Sequence, residues 1–243
     1  MGFFHSPKQI LFQPQTDNVA LLDEYPIPAF VPDWYKRLSR YINNSDKPIK
    51  SLGKLDLKTC APYRDVMLTG YYMTLQSDIE VISYENGDID IFHNNLGFSI
   101  VEKRGDIRNE NSQGFGMPIP MGSNPLMCAW VATFGVSTPS GYSALVTHPL
   151  NRNDLPFLTT SGIIDSDVFG SFAGNIPFFF KEGFSGFIPK GTPIAQVIPV
   201  KREDWKSQKI DADEKEYKRF LLQRDSILMG YYQKYFRQAK NYE

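Results

Sequence analysis

Two carboxylates, Asp165 and Asp167, stand two positions apart in Gly162-Ile163-Ile164-Asp165-Ser166-Asp167. On an extended strand residues i and i+2 share a face, so the pair could orient a water molecule or share a metal ion. Two acids behind a glycine are more often turn formers and caps, and both roles stay open at this level. Upstream, His148-Pro149-Leu150-Asn151-Arg152-Asn153-Asp154 is a polar loop whose Arg152 could face an anion or simply water. Elsewhere the reactive residue types are scattered. His5, His93 and His148 are far apart, and Cys60 and Cys128 are isolated from each other and from the histidines. No metal-ligand spacing results, so no metal site and no cofactor are expected, and the cysteines read as two reduced, buried thiols.

The composition narrows the partners. The 243 residues carry 26 Lys and Arg against 27 Asp and Glu, a net charge of −1. Without a basic excess, phosphate-backbone binding has no driving force, and no nucleic-acid partner is expected. With 42% hydrophobic and 22% charged residues the chain can bury a substantial core. No apolar run approaches the roughly 18 residues of a membrane span, and His5, Lys8 and Gln9 interrupt the N-terminal segment. A cytoplasmic location and no membrane partner are the expectation.

Three stretches differ in period. Residues 1–55 are proline-rich and read as an arm with one short helix near Asp33, whose Trp34, Leu38 and Ile42 recur every four positions. Residues 56–205 read as a β domain. Asn86-Gly87 between two alternating runs in 79–92 is a strong hairpin signal. Further β-like runs cover 129–136, 142–147, 175–180 and 194–199, which suggests a sandwich or barrel-like domain. Residues 206–243 read as a C-terminal amphipathic helix of about 25 residues, starting at Asp211 with Glu214 in a capping-box relation. That helix could pack on its own β domain or dock onto a neighbour. Seven phenylalanines fall between Phe169 and Phe187. Burial against another subunit is the simple account of so much aromatic surface, with base stacking a lesser alternative.

The order of elements resembles the dUTPase and dCTP-deaminase superfamily. Pro139-Ser140-Gly141-Tyr142, then Gly162-Ile163-Ile164-Asp165-Ser166-Asp167, then Ile194-Ala195-Gln196-Val197-Ile198-Pro199 follow its motif order between Thr138 and Val200. The resemblance implies a mainly β, jelly-roll-like β-clip domain, commonly a homotrimer. It implies that Asp165 falls on the catalytic carboxylate that orients the attacking water. Gly162, Ile163 and Ile164 fall on the hairpin whose main chain reads the pyrimidine, and Gln196 on the glutamine of the closing strand. Arg152 is the nearest substitute for a phosphate-binding arginine, and Lys190 a second candidate. Mg²⁺ would enter only with a nucleotide substrate.

The departures fall on the charge-bearing positions. His148-Pro149-Leu150 replaces the family's Arg-Ser-Ser or Arg-Ser-Gly, Val168 replaces the tyrosine after the second aspartate, and Thr192-Pro193 replaces Asp-Arg. The glycine-rich C-terminal lid is absent, and the stretch 170–175 lacks the water-activating glutamate of the deaminases. Phosphoryl transfer is mostly positioning plus charge neutralisation, so a lone aspartate with few donors is a poor catalyst. The expected function is therefore a non-catalytic β-clip structural or assembly protein that forms a homo-oligomer, with the arm and the C-terminal helix available to other structural proteins. A dUTPase-like nucleoside triphosphate pyrophosphatase and a nucleotide binder without turnover are the alternatives. Along its whole length the chain also resembles a phage-encoded protein family, which implies a virion or assembly setting.

Overall fold

The hairpin marked by Asn86-Gly87 forms as expected: Gly87 takes a left-handed φ of 86° and its N–H reaches the Tyr84 carbonyl. It belongs to a computed structural model that describes residues 8–15, 22–40, 56–94, 96–170, 174–225 and 230–243. Two compact units emerge, one from Met1–Ala29 with Gly70–Arg202 and one from Phe30–Thr69 with Glu203–Glu243. Sequence reading, which follows local period, draws boundaries near 55 and 205; the grouping of two segments distant in the chain into one unit is not visible to it.

The first unit holds the strands: β1 (Leu11–Pro14), β2 (Ile27–Pro28), β3 (Tyr71–Thr74), β4 (Ile79–Ser83), β5 (Ile89–His93), β6 (Val101–Asp106), β7 (Ser123–Trp130), β8 (Phe134–Ser137), β9 (Tyr142–Thr147), β10 (Phe157–Thr159), β11 (Gly162–Ile164), β12 (Ile176–Lys181), β13 (Gly186–Ile188) and β14 (Pro193–Lys201). They pair antiparallel in four sheets, ordered β11-β9-β14-β3-β2, β10-β12-β7-β6, β13-β4-β5 and β1-β8. The protein is mainly β, and none of these sheets closes into a barrel. Gly70, at the entry to β3, has a φ of 73°, and a Cβ there would run into the Val197 carbonyl oxygen on β14. Only glycine lets the two strands approach that closely.

One apolar cluster joins the three larger sheets. Trp130, Phe157, Phe178 and Phe180 meet Met73, Val146 and Val197, together with Ile79, Val81 and Ile89. The phenylalanine run thus corrects the expectation of subunit burial. Phe178, Phe179 and Phe180 are fully buried within this chain, because β12 is covered on both faces. Phe178 and Phe180 enter the main cluster and Phe179 a second one with Ile107 and Met127. Phe169 and Phe187 are exposed, and Phe172 lies outside the described residues.

The second unit is helical where it has regular structure: α1 (Asp33–Arg37), α2 (Ala61–Met67), α3 (Glu214–Asp225) and α4 (Tyr231–Tyr235). Two expectations change. Helix α1 ends at Leu38, whose ψ is 142°, and the residue it buries is Tyr35; Ile42 lies outside the described residues. The C-terminal stretch is two helices, because Gly230 sits at a φ of 73° and interrupts the pattern. Asp213, not Asp211, caps α3 by accepting the Lys215 and Glu216 N–H groups. Lys58 donates to the carbonyls of Lys36 and Leu38 and so closes the end of α1, while the Tyr35 hydroxyl donates to the Lys58 carbonyl.

Asp65 on α2 is the ionic anchor of this unit. Arg237 donates to both its oxygens, at 2.9 Å each, and Lys240 adds a contact at 3.3 Å. The Arg237 guanidinium holds this carboxyl below the usual range. Such a group adds stability that is complete above the unfolded carboxyl's value near 3.8 and is lost as the pH falls below it. Asp65→Ala is expected to cost about 1–2 kcal/mol at pH 7 in urea titrations, discounted for the solvent that reaches both cations, and less at pH 3.

Candidate functional site

The residues 138–167 build one polar corner of the first unit. Strand β9 runs from the Gly141 turn, and β11 pairs back along it with Gly162 opposite Val146 and Ile164 opposite Ala144. Strand β14 lies on the other side of β9, with Lys201 opposite Tyr142. Register alone therefore sets Arg202, the residue after β14, beside Gly141, and its N–H reaches the Gly141 carbonyl.

Asp165 and Asp167 leave β11 in a tight turn and divide two environments. The Asp167 side chain is only 7% exposed, makes a two-pronged ion pair with Arg202, and accepts the Gly141 N–H at 2.8 Å. The Arg202 guanidinium brings its carboxyl down to about 2. Asp165 is 67% exposed; its Oδ1 accepts from the Ser143 hydroxyl at 2.7 Å and from Arg202 at 3.3 Å. Between them Ser166 is fully buried, its hydroxyl 2.6 Å from that of Thr138, which in turn donates to the Tyr142 carbonyl. The acidic pair thus does not face one way, because the chain turns after Ile164. One carboxylate is a buried latch and the other a surface group beside it.

The other predicted site residues are placed elsewhere or used inside the fold. Gln196 is fully buried on β14 and its Oε1 accepts the Leu150 N–H at 2.8 Å, which pins the 148–152 loop. Arg152 is 8% exposed and grips Asp154 through two hydrogen bonds at 2.9 Å. Its burial corrects the alternative of a solvated loop charge. Lys190 pairs with Asp23. His148 is also internal: its Nδ1 accepts the Thr159 N–H at 3.3 Å and its Nε2 faces the Arg152 carbonyl at 3.2 Å. That geometry sets the proton on Nε2, and burial pushes the imidazole below its ordinary value. On β11, Gly162 and Ile163 are exposed, Ile163 at 69%, while Ile164 packs on the core.

Sequence reasoning missed Arg202 and Ser143. Their signal is a cation immediately after the closing strand and a serine at the second position of β9, which acquire meaning only through the β9–β14 register. Both carboxylates draw on the one guanidinium of Arg202, which leaves that cation engaged within the chain. Cys128 is buried, which pushes its thiol up to about 12, and Cys60 is exposed, in contrast to the expectation of two buried thiols. Among the described residues no group of three or more His, Cys, Asp or Glu could hold a metal ion, and no helix is long and apolar enough to cross a membrane. No protein-family model and no curated protein matches this chain.

Proposed function

We propose that the protein is a non-catalytic structural or assembly component, built on a dUTPase-like β-clip scaffold, that works as a homo-oligomer, a trimer being the favoured state. One observation carries this reading: the basic groups of the motif region are paired with carboxylates within the chain while several of its apolar groups point outwards. Arg202 is bound to Asp167, Arg152 to Asp154 and Lys190 to Asp23. Around the same turn Ile163, Val168 and Phe169 are 69%, 81% and 48% exposed. An apolar ridge at an open sheet edge, with no unpaired cation beside it among the residues named, suits burial by another copy, whereas a nucleotide site needs cations free to meet the phosphates. The whole-length resemblance to phage-encoded proteins supports a virion or assembly setting.

Native mass spectrometry and sedimentation at about 20 μM should show a trimer, and Ile163→Asp with Val168→Asp should release monomers of unchanged circular dichroism. A monomeric wild type would overturn the reading. A second reading, nucleoside triphosphate pyrophosphatase activity, is favoured by the exposure of Asp165 next to Ser143 and Arg202. Pyrophosphate release from dUTP with Mg²⁺ that disappears in Asp165→Asn would establish it; the assembly reading expects no release and no shift in melting temperature with nucleotides.

A further inference from the structure

The outward face of the β13-β4-β5 sheet carries a row that neither the core nor the motif region uses. Phe187 on β13 stands opposite Glu80 on β4, and Glu80 opposite Phe92 on β5. Directly opposed residues on one face have Cβ atoms about 5 Å apart, so the register places one carboxylate between two phenyl groups. The face is open: Phe187 is 63% and Phe92 53% exposed. One step along β4, Ile82 stands opposite Asp90, to which the Tyr84 hydroxyl donates. Alternate residues of the same strands, Ile79, Val81 and Ile89, fill the core, so the outward positions are not apolar through any demand of packing.

Charge selects the occupant. Residues 79–93 contain Glu80, Glu85, Asp88 and Asp90 and no Lys or Arg. Lys103 approaches Asp88 and Asp90 only at 3.4 Å, and the Glu80 carboxylate has no partner among the described residues. A second copy of the same face would set Glu80 against Glu80, and nucleic acid or an anionic bilayer would be repelled. A cationic side chain is the complement: it would meet the carboxylate with an aromatic ring on each side, an arrangement that also favours cation–π contact.

We propose that this face docks an extended protein segment carrying an arginine or lysine over Glu80, between Phe92 and Phe187, with an aliphatic residue two positions along over Ile82. The spacing follows from strand geometry, since a segment lying along β4 repeats its roughly 6.7 Å interval between same-side residues. The partner contributes a cation and an apolar side chain in alternation, and Asp88, which faces Tyr84 one step further along and just past β4, accommodates a second cation beyond the aliphatic position.

The probe is a fluorescein-labelled peptide, acetyl-Gly-Arg-Ser-Ile-Ser-Arg-Gly-amide, titrated with the full chain and followed by anisotropy. Saturable binding is expected below about 1 mM, weakened at least about tenfold by Glu80→Lys and by Phe92→Ser with Phe187→Ser, and weakened by added salt. Ile163→Asp, on the ridge assigned to self-assembly, should leave it unchanged, which separates this proposal from the oligomeric reading. The proposal is overturned by absence of saturation, by equal binding of a peptide with glutamate in place of both arginines, or by a Glu80→Lys protein that binds as wild type does. The exposed variants should keep the wild-type circular dichroism; if the double phenylalanine variant does not, Glu80→Lys decides alone.

Discussion

Replacing Trp130 with alanine is expected to cost about 4–5 kcal/mol, since the indole is fully buried, lies 3.7 Å from the parallel Phe178 ring and meets Phe157 edge-on at 4.9 Å. The cavity left in so closely packed a cluster cannot collapse, because its walls belong to strands held in three sheets. The indole N–H also donates to the Thr159 hydroxyl at 3.1 Å, and that hydroxyl donates to the Ile194 carbonyl at 2.6 Å. Trp130 on β7, Thr159 on β10 and Ile194 on β14 thus form a relay between the two larger sheets. Trp130→Phe keeps most of the stacking and loses the relay, for a cost of about 1–2 kcal/mol. Urea unfolding followed by circular dichroism at one fixed protein concentration reads both values. If the alanine variant lost less than about 2 kcal/mol, the cluster would not be the element that holds the sheets together. The consequence for function is positional: β10 leads within two residues into β11, so loosening the relay displaces the ridge of Ile163 and the turn that carries Asp165.

Local features are legible in the sequence. Asn86-Gly87 marks the loop 84–88, where Gly87 takes the left-handed conformation, and the 142–147 run matches β9 residue for residue. Alternation in 194–199 located β14, which the structure extends to Pro193–Lys201. Pairings between distant segments were not legible. Periodicity cannot show that β12 is covered on both sides, so the phenylalanine run reads as excess aromatic surface, and the second unit joins segments more than a hundred residues apart. Helical spacing overreached where backbone geometry ruled: Leu38 turns to an extended ψ after five helical residues and Gly230 breaks the C-terminal pattern. At the candidate site the residue types were right and their orientation was not. Asp165 and Asp167 would share a face on a strand, but the strand ends at Ile164 and the turn sends one inwards and one outwards.

That division makes Arg202→Gln the sharper test of what the acidic motif does. Glutamine keeps length and some hydrogen bonding but removes the cation, so the largely buried Asp167 carboxylate retains only the Gly141 N–H at 2.8 Å. Its pKa is expected to climb from about 2 towards the ordinary 3.8. A carboxyl depressed in the folded state contributes stability that is present in full above its unfolded value and lost as the pH falls through the folded one. Wild type should therefore hold its melting temperature well into the window between pH 4 and about 2, and Arg202→Gln should already have lost that resistance near pH 4. Asp165→Asn should leave the profile almost unchanged, because Asp165 is exposed and Arg202 keeps Asp167 as its two-pronged partner. Melting temperature against pH for the three proteins, with the Asp167 carboxyl followed by NMR, separates the roles. Coincident wild-type and Arg202→Gln curves would mean that the latch is not ionic. A large loss in Asp165→Asn would mean that the outer carboxylate shares the structural task, and the motif could then no longer be divided into an internal lock and a surface group available to a partner.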